Sequence, residues 1–330
     1  MTTIANRYDF VAFVSVARGN PNGDPDADNQ PRTDYTTGRG IMSDVCVKRK
    51  IRNYVQDYAA ATGTQENNIY YTDGAVLAEV NAEVQKTVKP ENDTLQQALL
   101  RKFWDVRTFG AVMVGGDAKE DEPEAPETEA GTPTSKKGKA KGKKAKGKSG
   151  GGKVTGPVQI CTALSVDPIE ILPMTITRMC ATNRKDKAGG ENETAEDSAA
   201  ANRTMGKKFI VPFGLYRIEG TVAPAWAAKT GFTQADLDLF VRAFVGCWDS
   251  MTASSGVRCL HAFHAFKHMS PLGNASRSSL MQRVTATRKP EVTAVREITD
   301  YTLAVNTEGL PANVEHCDWL AGGWALINSK

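Results

Sequence analysis

One segment near the N-terminus limits the fold more than any other. Residues 7–16, RYDFVAFVSV, put Tyr8, Phe10, Ala12, Val14 and Val16 on one side of an extended chain and Val11 and Phe13 on the other. A strand that is apolar on both sides needs cover on both faces, so it belongs in the middle of a sheet. A long polar stretch follows, residues 18–40, interrupted by prolines at 21, 25 and 31 and glycines at 19, 23, 38 and 40. Ser43 then offers an N-cap with Asp44 in the first turn. Val47, Ile51, Tyr54, Val55 and Tyr58 give the apolar stripe of a helix that reaches about Ala61. Lys48, Arg49 and Arg52 fall away from that stripe and predict a basic, exposed face. Strand, loop and basic helix together form a place where an extended anion can lie.

Further along, the pattern predicts a helix from about Asn92 to Phe103 and a strand over Val106–Val114. Strand character resumes at Gly156 (GPVQICTALSV), and residues 207–222 read as a strand pair or one long bent strand. An amphipathic helix spans Phe232–Trp248, with Thr233 as N-cap and Leu237, Phe240, Val241, Phe244 and Val245 inward. The last forty residues alternate short strands and turns. Strands and helices in this order, with long polar excursions, predict an α+β sheet domain of the split βαβ kind.

Two excursions stand apart. Residues 177–206 are polar and end in NRTMG. Residues 115–155 begin as an acidic Pro/Glu run and continue with eight lysines between 136 and 148. Blocks of like charge with little apolar content predict a disordered insertion in one loop, and its flanks read as two neighbouring strands.

Charge must be judged locally. Of 41 basic and 38 acidic residues, ten lysines and seven acids lie in 115–155, which leaves 31 of each sign elsewhere. Yet residues 250–290 contain no Asp or Glu, while carrying Arg258, Lys267, Arg277, Arg283, Arg288, Lys289 and three histidines. No run approaches the ~20 apolar residues of a membrane helix, and the N-terminus lacks a secretory pattern, so a cytoplasmic protein without membrane contact is expected. Six scattered cysteines with no CxxC pair are expected to be free thiols in a reducing compartment.

Motifs for chemistry fail on context. Gly142–Ser149 (GKKAKGKS) matches the phosphate-loop pattern, but it sits inside the lysine run and is followed by three glycines rather than a helix. Asp24, Asp26 and Asp28 alternate as in a calcium loop, but the sixth and twelfth positions hold Asn29 and Tyr35, so Asx-type turns are expected. His261, His264 and His268 lie near Cys259. On a regular strand His261 and His264 face opposite sides, and no further ligand follows at zinc spacing. No nucleophile–base constellation stands out, and no metal or cofactor is expected.

The block NRYDFVAFVSVARGNPNGDPDADNQPRTDYTTGRGIMSDVCVKRKIRNYV closely resembles the N-terminus of the backbone subunit of the CRISPR type I-C Cascade complex, a crRNA-binding member of the RAMP superfamily. The resemblance returns in DVRTFGAVM (105–113), TGPVQI (155–160), NRTMGKKFIVPFGLYR (202–217) and AFKHMSPLG (265–273). It implies a ferredoxin-like, RRM-type palm with inserted finger and thumb excursions, several copies stacked along CRISPR RNA, and bases presented to target DNA within a complex of other Cascade subunits. It also implies binding without cutting. On this chain, Arg18, Asn20, Asn22 and Arg39 of the loop and Lys48, Arg49 and Arg52 of the helix would line the RNA groove. Lys267, Arg277 and Arg283 would meet RNA or a neighbouring copy. Residues 177–206 would form the thumb, with Met179 or Met205 as an apolar wedge that flips a base. The lysine-rich insertion is not explained by the resemblance; a surface loop or a salt-sensitive tether for DNA are its two readings. Related subunits that cut target RNA with a loop aspartate make Asp24, Asp26, Asp28 and Asp34 candidates for an enzymatic alternative. A generic single-strand-binding module is a third.

Overall fold

The computed structural model describes residues 2–64, 67–88, 94–112, 152–178, 204–249 and 256–328. The two-sided apolar segment becomes strand β1 (Tyr8–Gly19), and its two faces enter different cores. Tyr8, Phe10, Ala12, Val14 and Val16 point into a helical layer, and Val11 and Phe13 point the other way, as their alternation predicts.

After β1 come the short strands β2 (Gly23–Asp24), β3 (Gln30–Pro31) and β4 (Arg39–Met42), then helix α1 (Asp44–Thr62). A helical annex follows, α2 (Leu77–Thr87), α3 (Leu95–Lys102) and α4 (Trp104–Phe109), leading into β5 (Gly110–Val112). Beyond lie β6 (Lys153–Thr155), β7 (Val158–Ile160), β8 (Ala163–Pro168), β9 (Leu172–Arg178) and the long β10 (Thr204–Val222). Then come α5 (Pro224–Thr230), α6 (Gln234–Gly246), β11 (Val257–His268), α7 (Arg277–Met281), β12 (Val284–Arg288), β13 (Tyr301–Val305), β14 (Val314–Asp318) and α8 (Trp319–Asn328).

The central sheet is antiparallel and runs β14-β11-β1-β10-β8-β4, with β7 and β9 also on β10. The 19-residue β10 serves twice: Thr204–Ile210 pairs with β9, and Val211–Val222 pairs with β1. One face carries α1, α6 and α8. There Phe10 meets Phe240, Phe244, Phe263 and Trp319 at centroid separations of 5.6–6.3 Å. The other face is covered by α7 and the β12–β13 hairpin through Leu280, Met281, Val284 and Tyr301. The annex closes a third cluster around Tyr70, Leu99 and Phe103.

Caps set the helix starts. Ser43 Oγ accepts from Cys46 N, and Thr233 and Asp236 form a reciprocal capping box on α6. The strands that flank the insertion, β5 and β6, pair with each other in register Gly110↔Thr155. Residues 153–155, expected to be the end of the disordered insertion, are strand β6, and residues 113–151 fall outside the described residues. Among the described residues no helix is long and apolar enough to cross a membrane.

Several expectations need correction. Residues 104–109 are helical rather than extended, because Asp105 is drawn inward by Arg52 and by the amides of Tyr70 and Tyr71, contacts that no local pattern reveals. Gly110 then turns the chain at φ 85, where a Cβ would lie 2.2 Å from Val154 O. The C-terminal segment ends in helix α8 rather than in strands and turns. Residues 156–166 divide into β7 and β8, and α2 was not expected at all. His261 and His264 do not face opposite sides. Phe13 pairs with Ala262 and Val14 with Leu260, so His261 is the extra residue of a bulge. Both rings line one small cavity with Phe13 and Val305, His261 bonded to Ser15 Oγ and His264 to His316.

Candidate nucleic-acid interface

The 18–40 loop is built by its own polar side chains. Arg18, Asp28 and Asn29 take left-handed backbone, φ 53 to 59. Asn20 Nδ2 donates to Asn29 O at 2.7 Å, and Asn22 Oδ1 accepts from both the amide and the hydroxyl of Ser43, which ties the loop to the start of α1. Asp24 accepts from Asp26 N and pairs with Arg32 at 3.2 Å. Asp34 accepts from the Thr37 hydroxyl and from Thr36 N, and these bonds hold its carboxyl below its ordinary value. Asp24 and Asp34 therefore make Asx-type turns. Among the described residues no group of three or more His, Cys, Asp or Glu side chains converges as metal ligands do. Arg18 and Arg39 project from this loop with exposed side chains.

The helix face differs from its expected form. Arg52 is not on a solvated face. It is buried, its Nε bonded to Asp105 at 2.8 Å and its guanidinium 5.0 Å from the Tyr71 ring and 5.2 Å from that of Phe109. Asp105, wholly buried, also accepts from Tyr70 N and Tyr71 N. This is a structural ion pair that closes the annex onto α1. Arg49 donates to Tyr71 O at 2.6 Å, and Lys48 pairs with Asp44 at 2.9 Å while staying half-buried.

The acid-free segment is not a free positive surface either, because the fold brings acids to it from elsewhere. Lys267 pairs with Glu315 on β14. Arg277 pairs with Glu219 at 2.9 Å and lies 3.9 Å from the buried Asp9. Arg283 donates to the carbonyls of Asn306, Glu308 and Gly309. His268 is a satisfied buried histidine: Nε2 meets Asp9 at 3.0 Å, and Nδ1 accepts from Asn274 N, which places the proton on Nε2.

A different pair stands out where β1, α1 and β11 meet. Lys50 and Arg258 are buried near each other. Arg258 Nη2 donates to Asn20 O at 3.0 Å, and Gly256, at φ 104, lets β11 start against Gly19. Burial, then the charge of Arg258, lowers the Lys50 pKa. Burial also lowers that of Arg258. Lys50 was missed in the sequence, although its spacing of three from Val47 and four from Tyr54 puts it at the edge of the apolar stripe.

On the opposite sheet face, a cavity of about 390 Å³ opens between β8, β10 and β12, lined by Arg39, Leu164, Arg217 and Glu219. Arg217 is held there by Glu219 and by the carbonyls of Met281 and Val284, while Arg39 is exposed. Met179 lies outside the described residues; Met205 lies on β10, paired with Thr177, its side chain likewise outside them.

A family model for the CRISPR-associated protein Cas7 matches residues 6–306. The chain belongs to the Cas7 family. A curated relative, a CRISPR-associated protein Cas7 from Haloferax volcanii, is 26% identical over 261 residues, which are 76% of this chain and 65% of the relative. The chain thus spans slightly less than two thirds of that protein. Among solved structures, a chain of a CRISPR RNA-guided surveillance complex, pre-nicking, shows 15% identity and a TM-score of 0.41, covering 79% of this chain and 78% of that one. A second surveillance-complex chain shows 14% and 0.39, with 79% and 68% covered. The Cas7 assignment rests on the family match, which takes in the polar loop, α1, the annex and the sheet through β13, and leaves β14 and α8 beyond it.

Proposed function

We propose that this Cas7 chain is a non-catalytic, RNA-binding backbone subunit that polymerises along CRISPR RNA and presents guide bases to target DNA in a type I-C Cascade complex. The observation that carries the reading is the family match over residues 6–306. The resemblance of residues 6–55 to the type I-C subunit favours that subtype. The order β11-β1-β10-β8, with α1 following β1 and α6 between β10 and β11, supports a ferredoxin-like palm.

In this reading Arg18 and Arg39, exposed on the loop, take RNA phosphates, and Lys48 joins them from α1. Asn20 and Asn22 hold the loop in shape. Arg49, Lys267, Arg277 and Arg283 act through the partners that now hold them, at the groove rim or toward a neighbouring copy. Arg52 is left out, because its charge is spent on Asp105. The β9–β10 ribbon is the base of the thumb, with Met179 and Met205 as candidate wedges at its far end. Leu172, Met174 and Ile176 form an exposed apolar row along it, which favours contact with another copy or another Cascade subunit. The complex would reside in the cytoplasm. The lysine-rich insertion would tether target DNA, so deleting residues 117–150 should leave the RNA-loaded assembly intact and flatten the salt dependence of DNA binding.

The test is to co-express the chain with a CRISPR array and isolate it. RNA of one defined length is expected with wild type, and loss of that RNA with Arg18→Glu/Arg39→Glu. Heterogeneous RNA of random length with wild type would overturn the reading.

A further inference from the structure

The helices lie on one face of the central sheet, and the β12–β13 hairpin with α7 leaves part of the other face uncovered. Phe13, Arg217, Leu164 and Ile41 stand side by side in β1, β10, β8 and β4, so they share that second face. Phe13 is buried beneath the hairpin, whereas Leu164 is 40% exposed. Arg217 marks the edge of the cover. Its Nη1 and Nη2 donate to the carbonyls of Val284 and Met281, and its guanidinium lies 5.5 Å from the Phe13 ring centroid. Beyond it opens the cavity of about 390 Å³, with Leu164 in its lining, Ala286 on the hairpin side and Arg39 at the β4 edge.

The cavity has more positive charge than its acid can balance. Glu219 accepts from Arg217 Nε through one oxygen and from Arg277 Nη2 through the other, so one carboxylate serves two guanidiniums. Asp9, 3.9 Å from Arg277, is already held by Arg7 and His268. Arg39 adds a further charge and makes no side-chain hydrogen bond or ion pair among the described residues. The neighbouring Asp34 spends its carboxylate on Thr36 N and the Thr37 hydroxyl. A small-molecule-sized space with an apolar floor and unbalanced arginines at its rim suits a flat apolar body that carries an anion. A nucleotide has that form: a base can lie on Leu164 beside the guanidinium plane of Arg217 while its phosphate reaches Arg39.

We propose that the cavity between β8, β10 and β12 seats one nucleotide, with the base on Leu164 and the phosphate on Arg39. The proposal rests on the RNA-binding reading only for the source of the nucleotide, which is either an RNA strand or a free nucleoside monophosphate.

The experiment uses the full chain stripped of RNA by nuclease and high salt, with adenosine and uridine monophosphates as probes against inorganic phosphate at matched ionic strength. At least one nucleotide should raise the wild-type Tm by a few degrees, and inorganic phosphate should raise it less. Leu164→Trp fills the cavity, and Arg39→Gln removes the charge at an exposed position; each should lose most of the rise. The second variant decides if the first misfolds. A wild-type Tm indifferent to both nucleotides, an equal rise from inorganic phosphate, or a full rise in the variants overturns the seat. RNA binding assigns the source. If Leu164→Trp weakens binding of single-stranded RNA by about five-fold or more at an unchanged salt slope, and Arg39→Gln lowers that slope by about 0.7, the RNA supplies the nucleotide. RNA binding untouched by Leu164→Trp, with the nucleotide response lost, assigns the seat to a free nucleoside monophosphate. Should wild type bind no RNA at all, the functional reading falls, and the nucleotide response still decides the seat. RNA bound by wild type with no nucleotide response overturns the seat and leaves that reading standing.

Discussion

Lys50 and Arg52 sit on the same helix, are both buried, and have opposite surroundings. Arg52 faces the annex, where two aromatic rings and a wholly buried carboxylate, itself held by two backbone amides, receive it. Lys50 faces the end of β1 and the start of β11, where its charged neighbour is another cation. One basic residue is a structural bolt, and the other makes no ion pair among the described residues. Positive residues near one another in sequence therefore say little about which of them is available to an anion. That is decided by whether the fold brings acids to them, as it does for Lys267, Arg277 and Arg52.

The comparison breaks most visibly at Asp105. Replacing it with Ala would leave Arg52 buried without its counter-ion and two amides without an acceptor, and should cost about 3–5 kcal/mol. Denaturant unfolding measures this. A cost near that of an ordinary surface change would mean that Arg52 escapes to solvent, and the contrast with Lys50 would collapse. A smaller loss, about 1–3 kcal/mol, is expected at the second paired site for Asp9→Ala, which strips His268 and Arg7 of their buried acceptor.

Local sequence carried the central part of this architecture. The placement of β1 followed from its two-sided apolar pattern, and α1 and α6 from caps that act within three residues, Ser43 and Thr233. What failed was non-local. Asp105 lies 53 residues from Arg52, so no window around either shows the pair. Residues 106–114 alternate like a strand, yet their first four stay helical because Asp105 pulls that turn inward. The bulge at His261 exists only through pairing with Phe13 and Val14, and it reverses the face of a side chain that strand alternation alone assigns wrongly. In α8, WLAGGWALIN, the paired glycines resemble a turn, but the helix packs so closely on α6 that a Cβ added at Gly323 would lie 2.3 Å from Val245 Cγ2. In the candidate interface, the burial of Arg52 and of Lys50 was not legible in the sequence.

A finer probe is the cap that sets both cations in place. Ser43→Ala removes the acceptor for Cys46 N and a donor to Asn22, and should cost about 1 kcal/mol in thermal or denaturant unfolding. Because Asn22 ties the loop to the helix, the variant should also weaken RNA retention more than an equally destabilising change at Thr233. Equal effects of the two caps on RNA would mean that the loop holds its shape without Ser43.

The smallest expected effect separates Lys48 from both of its buried neighbours. Its partner Asp44 is four residues earlier on a partly exposed face, an arrangement worth about 0.3–0.5 kcal/mol. The ammonium also sits in the first turns of α1, where the helix dipole opposes positive charge and reduces even that gain. Lys48→Met should therefore shift unfolding by no more than about 0.5 kcal/mol. A charge held so weakly can pass from Asp44 to a phosphate at little cost, whereas Arg52 would have to abandon a buried carboxylate and two aromatic rings. If Lys48 faces the RNA, the same variant should reduce the salt slope of RNA binding by about 0.7. An unchanged slope would remove Lys48 from the interface and leave the loop arginines to carry the helix end of the groove.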